Sequence, residues 1–247
     1  MNAAPLIAAL LFAPAAFAQT AADPAAPQTG EALYKANCAI CHKTDGTGTT
    51  DVFPGLAGNE NLADAELIVT NIHQGVAIMP PFPTLTDADI AAIATYVRAS
   101  FGNAHPAVTE AEVAATRATL DPPAPVQTIW DGVFTQAQAD RGKAVVGSPC
   151  GLCHGKSLNG VPDDQDMQPA PPLARAKFLR NWDGRSLGVL YSYTRWTMPK
   201  SNPGFLPEED YAAIIAHMLA TSGAPAGQTD LPADPIALGS VQITPAP

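Results

Sequence analysis

Apolar residues along this chain recur at helical intervals. Ile90, Ile93, Ala94 and Val97 stand at i, i+3, i+4 and i+7, and Tyr211, Ile214, Ile215 and Met218 repeat that spacing. It lays each set along one face of a helix with 3.6 residues per turn. Start signals stand ahead of both stripes. Thr86 with Asp89 resembles a capping box, with Asp in place of the usual Glu, and Pro207 suits the first position of the later helix. Further helices are expected over Gly30–Asn37, from the cap residue Asp64 to about residue 72 with Gly75 beyond its end, and after the capping box of Thr135 and Gln138. No alternation of apolar and polar residues is long enough for a strand, so the expected class is all-α.

The pattern occurs twice. Gly30 and Gly142 each lie eight residues ahead of a cysteine, Cys38 and Cys150. Pro54-Gly55-Leu56-Ala57 corresponds to Pro171-Pro172-Leu173-Ala174, and Met79-Pro80 to Met198-Pro199. The second copy is longer, mostly through an acidic insert before Pro171 that holds Asp163, Asp164 and Asp166. An internal duplication accounts for this. It divides the chain into a first domain over 29–103, a linker over 104–127, a second domain over 128–225 and a C-terminal tail over 226–247. The linker has a short helical stretch around 110–119 and the run Asp121-Pro122-Pro123-Ala124-Pro125, which is stiff and extended and suits a spacer.

Residues 1–18 carry no charged side chain, include an apolar run at 6–12 and end Ala16-Phe17-Ala18. These are the marks of a signal peptide cut after Ala18, followed by an Ala- and Pro-rich leader over 19–28. An uncleaved anchor is the alternative, but the run is short for a membrane span. No other stretch approaches that length, so the mature chain is expected to lack a span.

The net charge is −10. Residues 28–103 hold three basic and eight acidic side chains, whereas 128–225 hold nine of each. This balance speaks against a nucleic-acid partner. An acidic surface serves solubility or steers the molecule toward a basic partner.

All four cysteines fall in two runs, Cys38-Ala39-Ile40-Cys41-His42 and Cys150-Gly151-Leu152-Cys153-His154. Both read C-x-x-C-H, the attachment pattern of c-type haem. Two thiols one helical turn apart can each form a thioether to one vinyl group of a single macrocycle. The adjacent histidine then becomes the proximal iron ligand. A zinc site would also use such residues, and a disulfide framework would leave both histidines unexplained. Two covalently bound haem c groups are therefore expected, attached through Cys38 and Cys41 and through Cys150 and Cys153, with His42 and His154 on the irons. Haem attachment requires an exported compartment in bacteria, which agrees with a periplasmic location. A domain of about 75 residues buries little apolar surface by itself, and a haem supplies a large apolar slab for its helices to wrap.

The sixth iron ligand separates a carrier from an enzyme. Met79 and Met198 are each followed by proline and each precede the last helix of a domain. A thioether is neutral and soft and raises the potential of the iron. With both sixth positions filled, no catalytic residue is expected. Met167 and Met218 are rivals to Met198, although the helical stripe explains Met218. His73 is a competing ligand near Met79, His105 is expected in solvent, and His217 aligns with Tyr96 where the first and last helices of a domain cross. The carbonyls of Pro54 and Pro171 are candidates to hold the second ring nitrogen of His42 and His154. Trp130, Trp182 and Trp196 are expected in a haem pocket or core. Arg175, Lys177, Arg180 and Arg185 form a solvated face, propionate partners or a docking patch.

Taken together, these motifs resemble class I cytochrome c: an N-terminal helix with glycine, C-x-x-C-H, a Pro-x-Leu turn, Met-Pro and a C-terminal helix with an aromatic. In the second domain three further runs are similar to cytochrome domains and subunits that accept electrons from periplasmic quinoprotein dehydrogenases. They are Trp130-Asp131-Gly132-Val133-Phe134-Thr135, Pro203-Gly204-Phe205-Leu206 and Leu231-Pro232-Ala233-Asp234. His217 departs from the resemblance, which has an aromatic there. The resemblance implies two tandem class I cytochrome c domains. Their donor would be a periplasmic dehydrogenase, a quinoprotein among the candidates, and their acceptor another cytochrome or a terminal oxidase. The expected function is electron transfer by a dihaem protein that is not itself an enzyme. A tightly bound cytochrome subunit of a dehydrogenase complex is the first alternative and a dihaem peroxidase the second.

Overall fold

A computed structural model describes residues 28–49, 52–147, 150–162 and 166–247. The expected signal peptide, nearly all of the leader, and Asp163 and Asp164 of the acidic insert lie outside the described residues. The fold is helical, with two apolar clusters, one on each side of the proline run.

The first cluster is built by α1 (Gly30–Asn37), α2 (Ala39–His42), α3 (Ala65–Gln74), α4 (Asp87–Ala99) and α5 (Glu110–Arg117). Local chemistry sets their starts. Thr29 accepts from the Ala32 N–H and Asp64 from the Leu67 N–H. The Thr86–Asp89 box closes in both directions. Each such cap contributes about 1 kcal/mol. The α4 stripe of Ile90, Ile93, Ala94 and Val97 is buried with Leu33 and Tyr34 of α1 and Ile68, Val69 and Ile72 of α3. At the α1–α4 crossing the backbones touch: a Cβ on Gly30 would lie 2.1 Å from the Ala92 carbonyl oxygen. Tyr34, Tyr96 and Phe101 pack their rings around this crossing at 5.3 to 5.5 Å.

The first half of the expected linker is part of this cluster. Thr109 and Glu112 form a capping box for α5, and Val113 is fully buried. Arg98, itself buried, donates to the carbonyls of Leu62, Ala63 and Pro106. Arg117 donates to His73 Nδ1 at 3.1 Å and to the Asp87 carboxylate.

The second cluster comprises β1 (Gln127–Thr128), α6 (Gln136–Val146), α7 (Gly151–His154), α8 (Arg175–Trp182), α9 (Leu187–Thr197), α10 (Glu208–Thr221), α11 (Pro235–Leu238) and β2 (Val241–Gln242). The α6–α10 crossing repeats the first one more tightly, because a Cβ on Gly142 would lie 1.8 Å from the Ala213 carbonyl oxygen. Tyr211, Ile214, Ile215 and Met218 are buried as their spacing requires. Pro207 stands at the cap of α10, one position ahead of the expected one.

Two features differ from the sequence expectation. Thr135 caps α6, but Gln138 does not complete the box. Its amide instead bonds both the carbonyl and the N–H of Leu231, at 2.9 and 2.8 Å. Residues 226–247, expected as a tail, are woven into the second cluster: Leu231, Leu238, Val241 and Ile243 are buried, and β2 pairs in parallel with β1. Their apolar residues are too sparse to signal an element, and partners nearly a hundred residues away supply the burial. Among the described residues no helix is long and apolar enough to cross a membrane.

His217 lies half-buried on α10 and, as expected, on the helix that crosses α6. Burial holds its imidazole below the ordinary histidine range. Lys143 on α6 adds to this and Asp140 opposes it. The unfolded chain therefore takes up the proton first as pH falls. The stability that neutral His217 contributes is complete above about pH 6.5 and is lost as pH falls through that value toward the lower folded pKa. His217→Phe is expected to lose less stability than the parent between about pH 8 and about pH 5, measured as urea midpoints. Equal losses in the two proteins would show that His217 does not set this slope.

Candidate haem attachment sites

Each C-x-x-C-H run is a single helical turn. The Cys38 N–H donates to the α1 carbonyl of Tyr34, and the Cys38 carbonyl then accepts from Cys41 and His42 at 3.1 and 3.0 Å. The Cys150 carbonyl accepts from Cys153 and His154 at 3.2 and 2.9 Å. The turn brings the two thiols of each pair to one side, and all four are free and half-buried. Burial pushes the Cys38 and Cys41 thiols up to about 12 and Cys150 to about 11.

The chain then turns back and fixes the histidine. His42 Nδ1–H donates to the Pro54 carbonyl at 2.9 Å, and His154 Nδ1–H to the Pro171 carbonyl at 2.7 Å. A carbonyl can only accept, so Nδ1 carries the proton and Nε2 keeps its lone pair. Burial lowers the proton affinity of His42, opposed in part by the Pro54 bond. A glycine holds each turn. The N–H of Gly48 donates to the His42 carbonyl and that of Gly160 to the His154 carbonyl. Both glycines have positive φ. A Cβ on Gly48 would stand 2.6 Å from the Pro54 carbonyl oxygen, and one on Gly160 2.4 Å from that of Ala170. The sequence reading missed this pair. Its signal was a glycine six residues after each histidine.

Met79 packs half-buried against the first cluster, together with Cys38, Leu56, Phe82 and Leu85. It closes a short loop in which Val76 and Met79 exchange backbone hydrogen bonds of 2.9 and 2.8 Å. Met198 is the residue after α9, half-buried, and its carbonyl accepts from Tyr211 Oη at 3.1 Å. Of its rivals, Met218 is sealed in the core and Met167 is exposed. His73 has both ring nitrogens engaged, Nε2–H with the Asp121 carbonyl and Nδ1 with Arg117. This buried histidine is a packing residue that ties α3 to the linker.

The remaining candidates separate. Trp182 packs on Phe178 and Tyr193, and Trp130 donates to the Thr244 carbonyl, while Arg195 stacks over Trp196. Lys177 and Arg180 are exposed on α8, and Arg175 reaches the Ser157 carbonyl. Arg185 leaves that group: it lies over Trp182 and donates to the Ala36 carbonyl in the first cluster at 3.1 Å.

The donor set fits haem c. Each site has a thiol pair on one turn, an imidazole with a free Nε2, and a thioether on the same side of the proline run. Among the described residues no group of three His, Cys, Asp or Glu side chains converges as a metal cage.

The family model for cytochrome c oxidase, cbb3-type, subunit III matches residues 25–97 and 137–218, and each stretch contains one C-x-x-C-H run and one Met-Pro. The fructose dehydrogenase cytochrome subunit of Gluconobacter japonicus is 38% identical over 106 residues, 36% of this chain and 22% of that protein. The cytochrome c subunit of the quinone alcohol dehydrogenase of Gluconobacter oxydans is 35% identical over 96 residues, 33% of this chain and 20% of that protein. The aligned regions thus span only about a fifth of these two relatives. Cytochrome c6 of Cyanidioschyzon merolae is 36% identical over 77 residues, 28% of this chain and 70% of that protein. With more than half of its length matched by the family model, the chain belongs to the cytochrome c family, whose members carry covalently bound haem c and transfer electrons.

Proposed function

We propose that the chain is a dihaem c-type cytochrome of the periplasm that takes electrons from a dehydrogenase and passes them to another cytochrome or a terminal oxidase. In this reading the domain over 29–103 holds one haem through Cys38 and Cys41, with His42 and Met79 as axial ligands. The domain over 128–225 holds the other through Cys150 and Cys153, with His154 and Met198. Bound haem c would supply one-electron exchange at iron, and a thioether ligand would favour the reduced form. The carbonyls of Pro54 and Pro171 orient each imidazole and keep Nε2 available to the metal. The two methionines close the sixth positions, so no residue is assigned a catalytic role.

The observation that carries this reading is the repetition, within one chain, of the thiol pair on a turn and the histidine held by a proline carbonyl, with a Met-Pro beyond. The test is a count. Haem per chain is measured as the pyridine haemochrome, and the oxidised protein is titrated for its methionine-to-iron charge-transfer band. Two haems and two equivalents of the band are expected. Two haems with one equivalent would favour the peroxidase reading, in which one iron is open to substrate.

A second reading, a stable cytochrome subunit of a dehydrogenase complex, is favoured by the relatives named as dehydrogenase cytochrome subunits. Co-elution of the native protein with a dehydrogenase activity through gel filtration supports the subunit, and elution alone supports the free carrier.

A further inference from the structure

We propose that the second domain and the C-terminal segment clamp the loop that carries Met79, and so position the sixth ligand of the first haem from outside its own domain. The inference rests on the reading of Met79 as that ligand. The loop is a four-residue turn closed by the Val76–Met79 backbone pair, with Ala77 at φ 52. The Ile78 carbonyl, inside that turn, accepts from Ser192 Oγ of α9 at 2.6 Å. Ser192 is 1% exposed, and the bond itself is part-buried.

The same helix makes room for the loop. A Cβ on Gly188 would stand 2.7 Å from Pro80 Cβ, 2.5 Å from the Pro235 carbonyl oxygen and 3.0 Å from the Gly239 nitrogen. A Cβ on Gly239 would stand 2.5 Å from Pro81 Cδ, and one on Gly75 2.6 Å from Ile236 Cδ1. Residues on both sides of Met79 are therefore in contact with α9 and the α11 segment. Arg185 adds a bond to the Ala36 carbonyl, two residues before Cys38. The second site differs. The Met198 carbonyl is held by Tyr211 of α10, within its own cluster.

A closed loop of four residues has few contacts of its own to fix its position. Removing the Ser192 hydroxyl leaves a part-buried carbonyl without its donor, which favours any state in which the loop has moved out to water. Ser192, Gly188 and the segment around Ile236 are thus positioning residues for Met79.

The test uses the full-length haem-loaded protein. In Ser192→Ala and in Gly188→Ala, the first haem is expected to lose charge-transfer intensity when oxidised. When reduced, it is expected to gain roughly tenfold in affinity for carbon monoxide, the factor that an unpaired part-buried carbonyl produces in an equilibrium. The site is identified by combination. With Met198→Ala in the background the remaining band falls, and with Met79→Ala in the background it does not change. If Gly188→Ala does not accumulate, Ser192→Ala decides, since it removes one oxygen atom. Loss of one equivalent in Met79→Ala with both retained in the two interface variants overturns the clamp and leaves the ligand reading intact. Both equivalents retained in Met79→Ala overturns the ligand reading and the clamp with it.

Discussion

Gly142→Ala is expected to destabilise the second domain by about 3 kcal/mol, measured as the guanidinium midpoint of the haem-loaded protein. The sign is diagnostic. In an ordinary helix interior the same change stabilises by about 1 kcal/mol, because alanine is the better helix former. Here the new Cβ would stand 1.8 Å from the Ala213 carbonyl oxygen, 2.4 Å from its carbon and 2.9 Å from the Ile214 nitrogen. All three are backbone atoms, so no side chain can swing aside. α10 cannot easily retreat, since Tyr211, Ile214 and Ile215 on it are buried. Gly30→Ala should act in the same direction in the first domain, where the corresponding approach is 2.1 Å. A midpoint that rises in Gly142→Ala would mean that the helices cross elsewhere.

Under the proposed two-haem reading with Met198 as a ligand, Met198→Ala is expected to abolish one of the two equivalents of charge-transfer absorption and to open the second iron to carbon monoxide. It should also lower that haem's potential within the roughly 0.8 V range that axial ligands span. The two rival methionines provide the contrast. Met218→Ala removes a side chain that is 1% exposed in the core of α10. It should cost about 2 to 5 kcal/mol of stability with the band intact. Met167 is 40% exposed, and its replacement should change neither stability nor spectrum. The potential and the band together separate ligand from packing residue, because a cavity in the core does not change the ligand field at iron. Loss of the band in Met167→Ala, with Met198→Ala unchanged, would transfer the role.

The candidate attachment turns were legible because they are contiguous. C-x-x-C-H is five neighbours, and the carbonyls that hold its histidine follow within 12 and 17 residues. The caps at Asp64 and Thr86 and the stripe on α4 were legible for the same reason: their partners lie within one or two turns. Reading failed where the partner is remote. α9 contains Gly188, Val189, Tyr191, Tyr193, Thr194, Trp196 and Thr197, glycine, β-branched and aromatic residues that make poor helix formers. It is helical because Leu187, Leu190 and Tyr191 bury into the second cluster, and packing outweighs propensity over such a length. α8 has a weak signal of its own, with Arg175, Lys177 and Arg180 spread along it and no side-chain cap.

The sequence by itself determined the two C-x-x-C-H turns, the helices whose caps and apolar stripes it carries, and the all-α class, because each is written in residues a few positions apart. Only the tertiary structure decided that His73 is engaged by Arg117 and Asp121, that Gln138 reaches Leu231 instead of closing its own cap, and that the C-terminal segment completes the second cluster. It also decided that the Met79 loop rests on Ser192 and Gly188. These contacts join residues dozens to more than a hundred positions apart. Nothing in local periodicity or capping encodes them, since the burial that stabilises them exists only once both clusters have formed.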